Sequence, residues 1–255
     1  MNDPRQNIAD IAGSVRVSKC DVCAIRHRAV CGALSDVELS KLNQISRQRK
    51  YKAEQIIMSD DEPSDFFANI ISGTVKLTKL LSDGRQQIVG LQFPPDFLGR
   101  TYGAQTPYYA EAATDVELCC FPRKGFEEIL EEFPDLENRL FKNTLDELDA
   151  AREWMLLLGR KTAKEKIASF IYMLASRATS IGCGHTSFSE FVSFTLPLSR
   201  ADMADYLGLT IETVSRQITR LKTEGLIQVT SNREIIVPDL AVLSQVAGIE
   251  VSDMI

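Results

Sequence analysis

Leu196–Ile227, LPLSRADMADYLGLTIETVSRQITRLKTEGLI, reads as two helices joined by a tight turn. Ser199, with Asp202 three residues on, forms an N-cap and a near capping box, and Met203, Ala204 and Leu207 supply the buried stripe of a short first helix. Gly208 breaks it. Thr210 can cap the next helix, in which Ile211, Val214, Ile218 and Leu221 make one apolar face. At the helical period Glu212, Arg216 and Thr219 fall on the opposite side, with Thr213, Ser215, Gln217 and Arg220 at its flanks. Gly225 ends the second helix, and 226–230 and 233–237 alternate as two short strands around a turn.

Two helices, a turn and a hairpin make a winged helix-turn-helix, whose second helix enters the major groove of double-stranded DNA by its N-terminal half. Arginine there can donate two bonds to guanine, and a carboxylate accepts from cytosine N4 or braces the arginine one turn away. Glu212, Ser215 and Arg216 are therefore the foremost base-reading candidates. The bland alternative is a solvated i,i+4 pair on a surface helix, and the turn glycine and wing argue against it.

Working outward, 255 residues suffice for two modest domains. The net charge of −6 looks wrong for a DNA binder until the charges are located. Lys124–Glu153 holds ten acids against four bases, whereas Gly159–Val237 holds ten bases against seven acids. A domain this weakly basic binds phosphates modestly alone, so tight binding calls for a dimer. No apolar run approaches a membrane span and the N-terminus has no leader pattern, so a cytoplasmic protein is expected. No nucleophile elbow or phosphate-binding glycine loop is present, which argues against an enzyme.

Residues 1–18 lack periodicity and read as a mobile arm. Ser35-Asp-Val-Glu38 is a capping box opening a helix, with Val37, Leu39, Leu42 and Ile45 apolar, that runs to about Arg47. Between Tyr51 and Phe121 short strand candidates follow one another (56–58, 66–71, 74–81, 86–93, 110–113 and 116–121), punctuated by Gly73, Asp83-Gly84, Pro94-Pro95 and Pro107. Such a density of strands suggests a small jelly roll or barrel. A helix over 124–133, a long helix over 135–158 ended by Gly159, and another after Thr162 follow, then a loop over 180–193. The expected fold class is α+β: an N-terminal arm (1–34), a jelly-roll β-barrel sensory domain (35–133), a long dimerisation helix (134–159) and the winged helix-turn-helix domain (160–255).

In the long helix Leu140, Thr144, Leu148, Ala151, Met155 and Leu158 alternate at four and three residues over its later half, the spacing of a homodimer seam. Phe141, Leu145, Trp154 and Leu157 are expected on an adjoining stripe against the helix's own barrel.

The arm holds Lys19-Cys20-Asp-Val-Cys23-Ala-Ile-Arg26-His27-Arg28-Ala-Val-Cys31, three of six cysteines within a dozen residues. In a reducing cytosol that is a metal or redox signature before it is a disulfide one. Zinc on Cys20, Cys23, Cys31 and His27, thiol redox chemistry at the Cys20/Cys23 pair, and plain burial are the competing readings.

Barrel, long helix and winged helix together resemble the CRP/FNR superfamily of transcription regulators over about Cys20–Val237. Glu212-Thr-Val-Ser215-Arg216 matches the E-x-x-S-R signature of its FNR group, which implies palindromic TTGAT-type half-sites. The cysteine arm resembles that of the oxygen-sensing FNR regulators, in particular the alphaproteobacterial FnrL-like branch, and implies an oxygen-labile [4Fe-4S] cluster. The seven residues between Cys23 and Cys31 exceed the gap of other FNR branches. Four thiolates are needed for such a cluster. The fourth comes from Cys119 or Cys120, which point to opposite faces of a strand. Val116, Leu118 and Cys120 share the core face, so Cys119 is the candidate, and matching Pro122 to the proline after the family's fourth cysteine selects it too. Phe121 on the outward face counts against this parity. Cyclic-nucleotide binding is not expected: Arg100-Thr101 imitates the family's phosphate-binding pair but lies too early in Phe97–Ala112. The implied function is oxygen-responsive activation with RNA polymerase as a further partner, for which Ser82–Arg85 is a candidate contact. The alternative is a zinc-stapled or metal-free constitutive DNA-binding protein of the same fold.

Overall fold

Phe66-Phe-Ala-Asn-Ile-Ile71 is almost wholly buried, which requires that both faces of its strand be covered. The computed structural model, which describes residues 20, 22–60, 62–103, 105–181, 191–231 and 233–249, shows how. The expected arm over 1–18 and most of the 180–193 loop, including Cys183, lie outside the described residues.

A 3₁₀ turn (Val30–Ala33) leads to α1 (Asp36–Ile45), and the strands β1 (Arg47–Tyr51), β2 (Ile56–Met58), β3 (Phe66–Ser72), β4 (Val75–Leu80), β5 (Gln86–Gln92), β6 (Phe97–Leu98), β7 (Tyr109–Ala112) and β8 (Val116–Pro122) follow. They form two four-stranded antiparallel sheets, β1-β8-β3-β6 and β2-β7-β4-β5. Between the sheets lie Phe66, Ala68, Ile70, Val75, Leu77, Leu118 and Cys120. By the two-residue period of a strand, Phe67, Asn69, Cys119 and Phe121 point the other way. That outer face is not solvated. The N-terminal turns, α1, α2 (Arg123–Glu132) and the start of α3 (Pro134–Arg160) cover it with Ile25, Ala29, Val30, Leu42, Phe126, Leu136 and Leu140. Phe126 is the hub, its ring 5.3 to 5.4 Å from those of Phe67, Phe97 and Phe121. This second core explains Phe121, whose outward position is outward only from the barrel.

The Ser35 capping box forms as expected, with Glu38 bonded back to Ser35. Val37 in that helix is 77% exposed rather than buried. The helix also stops at Ile45, because the next residues become β1, an edge strand of exposed polar side chains (Arg47-Gln-Arg-Lys) with no apolar alternation to betray it.

The long helix α3 runs through Gly159, which is exposed and costs only propensity there, and ends at Arg160. Its 27 residues span about 40 Å. Next come α4 (Ala163–Ile181), β9 (Val192–Thr195), α5 (Arg200–Leu207), α6 (Ile211–Thr223), β10 (Gln228–Val229), β11 (Glu234–Val237) and α7 (Leu240–Ala247). The sheet order is β10-β11-β9, so a strand that begins at the end of the expected loop completes the wing.

The C-terminal core is continuous with the barrel. Ile88 and Phe93 from β5 and its end pack with Met203, Tyr206, Leu207 and Phe170, and Trp154 of α3 stacks on Tyr206 at 4.0 Å between centroids. Polar contacts reinforce this junction. The Lys76 ammonium of β4 donates to Asp202 at 2.8 Å and lies 3.0 Å from Glu111, while Gln86 donates to Asp205 at 2.6 Å. Asp202 simultaneously accepts from the Ser199 backbone and hydroxyl as the third residue of α5. Against burial, which works the other way, Lys76 and Ser199 hold the Asp202 carboxyl below its ordinary value of 3.8.

Asp202→Ala therefore removes the carboxylate half of the α5 capping box and one of the two counter-charges of Lys76. It should lower unfolding free energy by about 1 to 3 kcal/mol in urea melts at neutral pH. Because the folded-state pKa is depressed, this contribution is present above pH 3.8 and disappears as pH falls through the lower folded value, so the gap between variant and parent should narrow in acid.

Candidate DNA-reading surface and thiol site

The helix-turn-helix is built from caps outward. Ser199 and Asp202 close a full capping box on α5, and Gly208 ends it at φ +61°, a left-handed geometry that glycine adopts without strain. The Thr210 hydroxyl then accepts from the Thr213 N–H to start α6. Val214, Ile218 and Leu221 are buried, and Ile211, expected with them, is 48% exposed in the first turn. Glu212, Ser215, Arg216, Thr219 and Arg220 are exposed, and Thr213 and Gln217 half-buried. Arg216 donates to Thr213 Oγ1 at 3.4 Å. The Glu212 carboxyl sits below its ordinary range because its own backbone N–H and Thr210 favour the charge. Arg220 is engaged by Glu224 at 2.9 Å, which also pairs with Lys164 at 2.5 Å. Gln217 Oε1 is buried and accepts no bond among the described residues. The exposed polar face of α6 is therefore centred on Glu212, Ser215, Arg216 and Thr219.

Two backbone turns fold the arm onto the outer face of β3 and β8, through Cys23 N–H to Cys20 carbonyl at 3.3 Å and Ala29 N–H to Ile25 carbonyl at 2.9 Å. Gly32 lets it close, since a Cβ there would stand 2.6 Å from the Arg26 carbonyl oxygen. The result brings Cys20, Cys23, Cys31 and Cys119 to one small cavity, bordered also by Ile25, Arg26, Leu42, Asn43, Asn69 and Phe121. Cys120 is on the other side of the strand, 2% exposed in the barrel core. His27 is exposed and is not among the lining residues. No disulfide joins the described cysteines. Among the described residues, no three His, Cys, Asp or Glu side chains are drawn round one point so as to hold a single metal ion. The four thiols border a space instead.

Burial, followed by the charges of Cys20, Cys31 and Cys23, pushes the Cys119 thiol up to about 12. Burial, then Cys23 and Cys20, pushes Cys31 up to about 11, with Arg26 pulling slightly the other way. Cys31 and Cys119 thus need a strongly cationic group beside these four sulfurs to serve as thiolates. That donor set, soft and fourfold, fits an iron–sulfur cluster. Asn43 and Asn69, which the sequence reading passed over, sit at the same cavity. Cys20 donates to Asn43 Oδ1 at 3.4 Å, and Asn69 Nδ2 lies 3.9 Å from Cys31 Sγ.

The chain matches a Crp-like helix-turn-helix domain over residues 165–246 and a cyclic nucleotide-binding domain over 48–133. It is 50% identical to a probable transcriptional activator of Rhizobium leguminosarum, over 87% of this chain and 90% of that one. It is also 47% identical to the transcriptional activator protein FnrL of Cereibacter sphaeroides, over 90% and 92%. The chain belongs to the CRP/FNR family of transcription regulators. FixK2 from Bradyrhizobium japonicum superposes on this family member with a TM-score of 0.70 at 33% identity, covering 79% of this chain and 97% of that one. Its helix-turn-helix is a DNA-binding domain, set on the barrel and long helix of the family fold.

The long helix departs from its expected faces. Leu140 is buried in the outer core, and Leu158 is half-buried, one of its methyl carbons 3.9 Å from where a Gly208 Cβ would stand. Phe141 and Leu145, expected against the barrel, are 62% and 43% exposed. Leu148 and Met155 are exposed as a seam requires, with Thr144 and Ala151 beside them. Trp154 and Leu157 do face inward, but against the DNA-binding domain. The exposed apolar stripe is Phe141, Leu145, Leu148, Met155 and Leu156, interrupted by Arg152. Periodicity reveals a stripe; it does not say which neighbour each end of the stripe meets.

A larger cavity of about 730 Å³ lies between the barrel and α3, and Arg100 and Thr101 line it together with Asp96, Tyr108, Asp146 and Glu147. No helix among the described residues is long and apolar enough to cross a membrane.

Proposed function

We propose that this chain is an oxygen-responsive transcription activator whose Cys20, Cys23, Cys31 and Cys119 hold an oxygen-labile [4Fe-4S] cluster, favouring a DNA-binding homodimer at low oxygen. The observation that carries this reading is the meeting of three arm thiols and one barrel thiol at one apolar cavity, with His27 outside it. Bound there, such a cluster supplies sensitivity to oxygen through its own oxidative breakdown. The residues around it do the rest. Ligation ties the arm to β8, and the same outer core contains Leu136 and Leu140 of α3. A tie at the cysteines thus bears on the seating of α3, whose far side offers Phe141, Leu145, Leu148 and Met155 to a second copy at heptad-like spacing. Asp146, Asp149 and Glu153 flank that stripe, so like charges oppose what apolar burial favours. A coupling of about 1 to 3 kcal/mol is enough to tip such a balance.

Two α6 helices in a dimer would reach half-sites about 10 bp apart, of TTGAT type by the family signature, with Glu212, Thr213, Ser215, Arg216 and Thr219 turned to the groove and Gln217 and Arg220 bracing from the flanks. RNA polymerase is the further partner by family likeness, with the exposed Ser82–Arg85 turn as one contact. The barrel cavity is not a cyclic-nucleotide site in this reading, because Arg100-Thr101 lies too early in the sequence to be the family's phosphate-binding pair, although Arg28, Arg100, Arg139 and Arg177 line the cavity beside Asp96, Asp146 and Glu147. Calorimetric titration with cyclic AMP should give no binding, and a saturable heat would overturn that part.

Protein purified without air should be brown, contain iron and sulfide, and sediment as a dimer. Controlled air exposure should bleach it and release monomer. Colourless, zinc-bearing protein indifferent to air would favour the constitutive alternative. Cys119→Ser should abolish iron uptake while Cys120→Ser leaves it near normal, and the reverse pattern would move the fourth ligand inside the barrel.

Arg216→Ala should weaken binding to the cognate palindrome by about 1 to 3 kcal/mol and to scrambled DNA by less. Equal losses at one salt concentration would reduce Arg216 to a phosphate contact.

A further inference from the structure

Asn69 is the misfit of its strand. Its neighbours in β3 are Phe66, Phe67, Ala68 and Ile70, all buried apolar residues, and Asn69 itself is 1% exposed. A primary amide in such a place needs partners for both ends. It lacks one: Oδ1 accepts no hydrogen bond among the described residues. Its Nδ2 end is directed at the thiol site, 3.9 Å from Cys31 Sγ, a long contact to a large and polarisable acceptor. In the ladder Asn69 sits directly opposite Cys119, on the same face of the sheet. One side chain thus stands across from one ligand candidate and donates toward another.

Leucine would fill this position without leaving a buried carbonyl unsatisfied, so packing alone does not account for asparagine. The other polar groups at the cavity differ from it. Asn43 is taken by the Cys20 thiol, Ser46 donates to the Asn43 carbonyl, and Arg26 is paired with Asp36. Asn69 alone comes from the rigid centre of a sheet, fixed by β8 and β6 on either side.

We propose that Asn69 is a positioning residue of the thiol site, its amide N–H donating to the Cys31 sulfur so as to orient that ligand and hold electron density on it. A thiolate that accepts an N–H bond pushes less charge onto iron, and hydrogen bonds to the sulfurs are among the determinants of a cluster's potential. Donation from Asn69 therefore makes the bound centre harder to oxidise and sets how quickly air destroys it. This rests on the cluster reading above.

The test compares parent, Asn69→Leu and Asn69→Asp, loaded and purified anaerobically, for iron and sulfide content, for the iron–thiolate stretching bands in resonance Raman spectra, and for visible-absorbance decay in air-saturated buffer. Melting of the iron-free proteins monitors the fold. Both variants lack the N–H. Asn69→Leu should melt at or above the parent temperature, shift the iron–thiolate bands and lose its cluster about tenfold faster. Asn69→Asp should load less iron, since its carboxylate adds negative charge beside the thiolates. Unshifted bands with parent-like decay in Asn69→Leu would overturn the proposal and leave Asn69 a packing residue. Should Asn69→Leu fail to fold, parent-like loading and bands in Asn69→Asp would overturn it equally. A parent protein without iron and sulfide is a different outcome, and refutes the cluster reading itself.

Discussion

Everything in the N-terminal half depends on the outer face of the β3–β8 pair being dry. Phe67, Phe121 and Phe126 make that face a core in its own right, and Ile25, Ala29 and Val30 are its lid. Three cysteines in a polar arm have no reason to approach a barrel strand. The apolar residues spaced between them do, because each large aliphatic side chain buried is worth about 1.5 to 3 kcal/mol. The thiols are carried into place by the anchoring of their neighbours. Metal chemistry at this site would therefore build on packing that hydrophobic burial has already arranged, and its binding energy need not be consumed in folding the arm.

The C-terminal half follows a different rule. Caps define its helices, through Ser199 and Asp202 on α5 and Thr210 on α6, and the reading surface stays polar because Val214, Ile218 and Leu221 take the buried stripe. Such features are local, which is why the two helices and their caps were legible from the sequence, Ile211 excepted. The jelly roll was legible too, from strand density and the Asp83-Gly84 turn. β1 was not, because an edge strand of Arg, Gln and Lys shows no alternation. β9 was missed for a related reason, since its pairing partner β11 lies some forty residues away and its contribution to the wing is made by tertiary context.

At the thiol site, parity correctly separated the environments of Cys119 and Cys120, and the doubt raised by Phe121 came from treating the outer face of a barrel as solvent. Asn69 went unnoticed although the signal was present, a lone amide in an otherwise apolar strand. The long helix was the least legible element. Its apolar residues spiral, so that Leu140 belongs to the outer core, Leu157 to the DNA-binding domain, and Phe141, Leu145, Leu148 and Met155 to neither. A repeat pattern on one chain carries no label for its partner.

The shared use of Asp202 has a consequence for how such regulators diverge and recombine. The same carboxylate starts a helix of the DNA-binding domain and neutralises Lys76 on a barrel strand. A chimera that joins this barrel to a foreign reading domain at the end of α3 would inherit the lysine, and would keep the acid only where the donor has one at the third position of that helix. Glutamine at that position closes a capping box as an acid does, yet it supplies no charge. Grafts that look interchangeable at the level of the helix-turn-helix are therefore not interchangeable at the junction, and compatibility between halves is written in a residue that contacts neither DNA nor the thiol site.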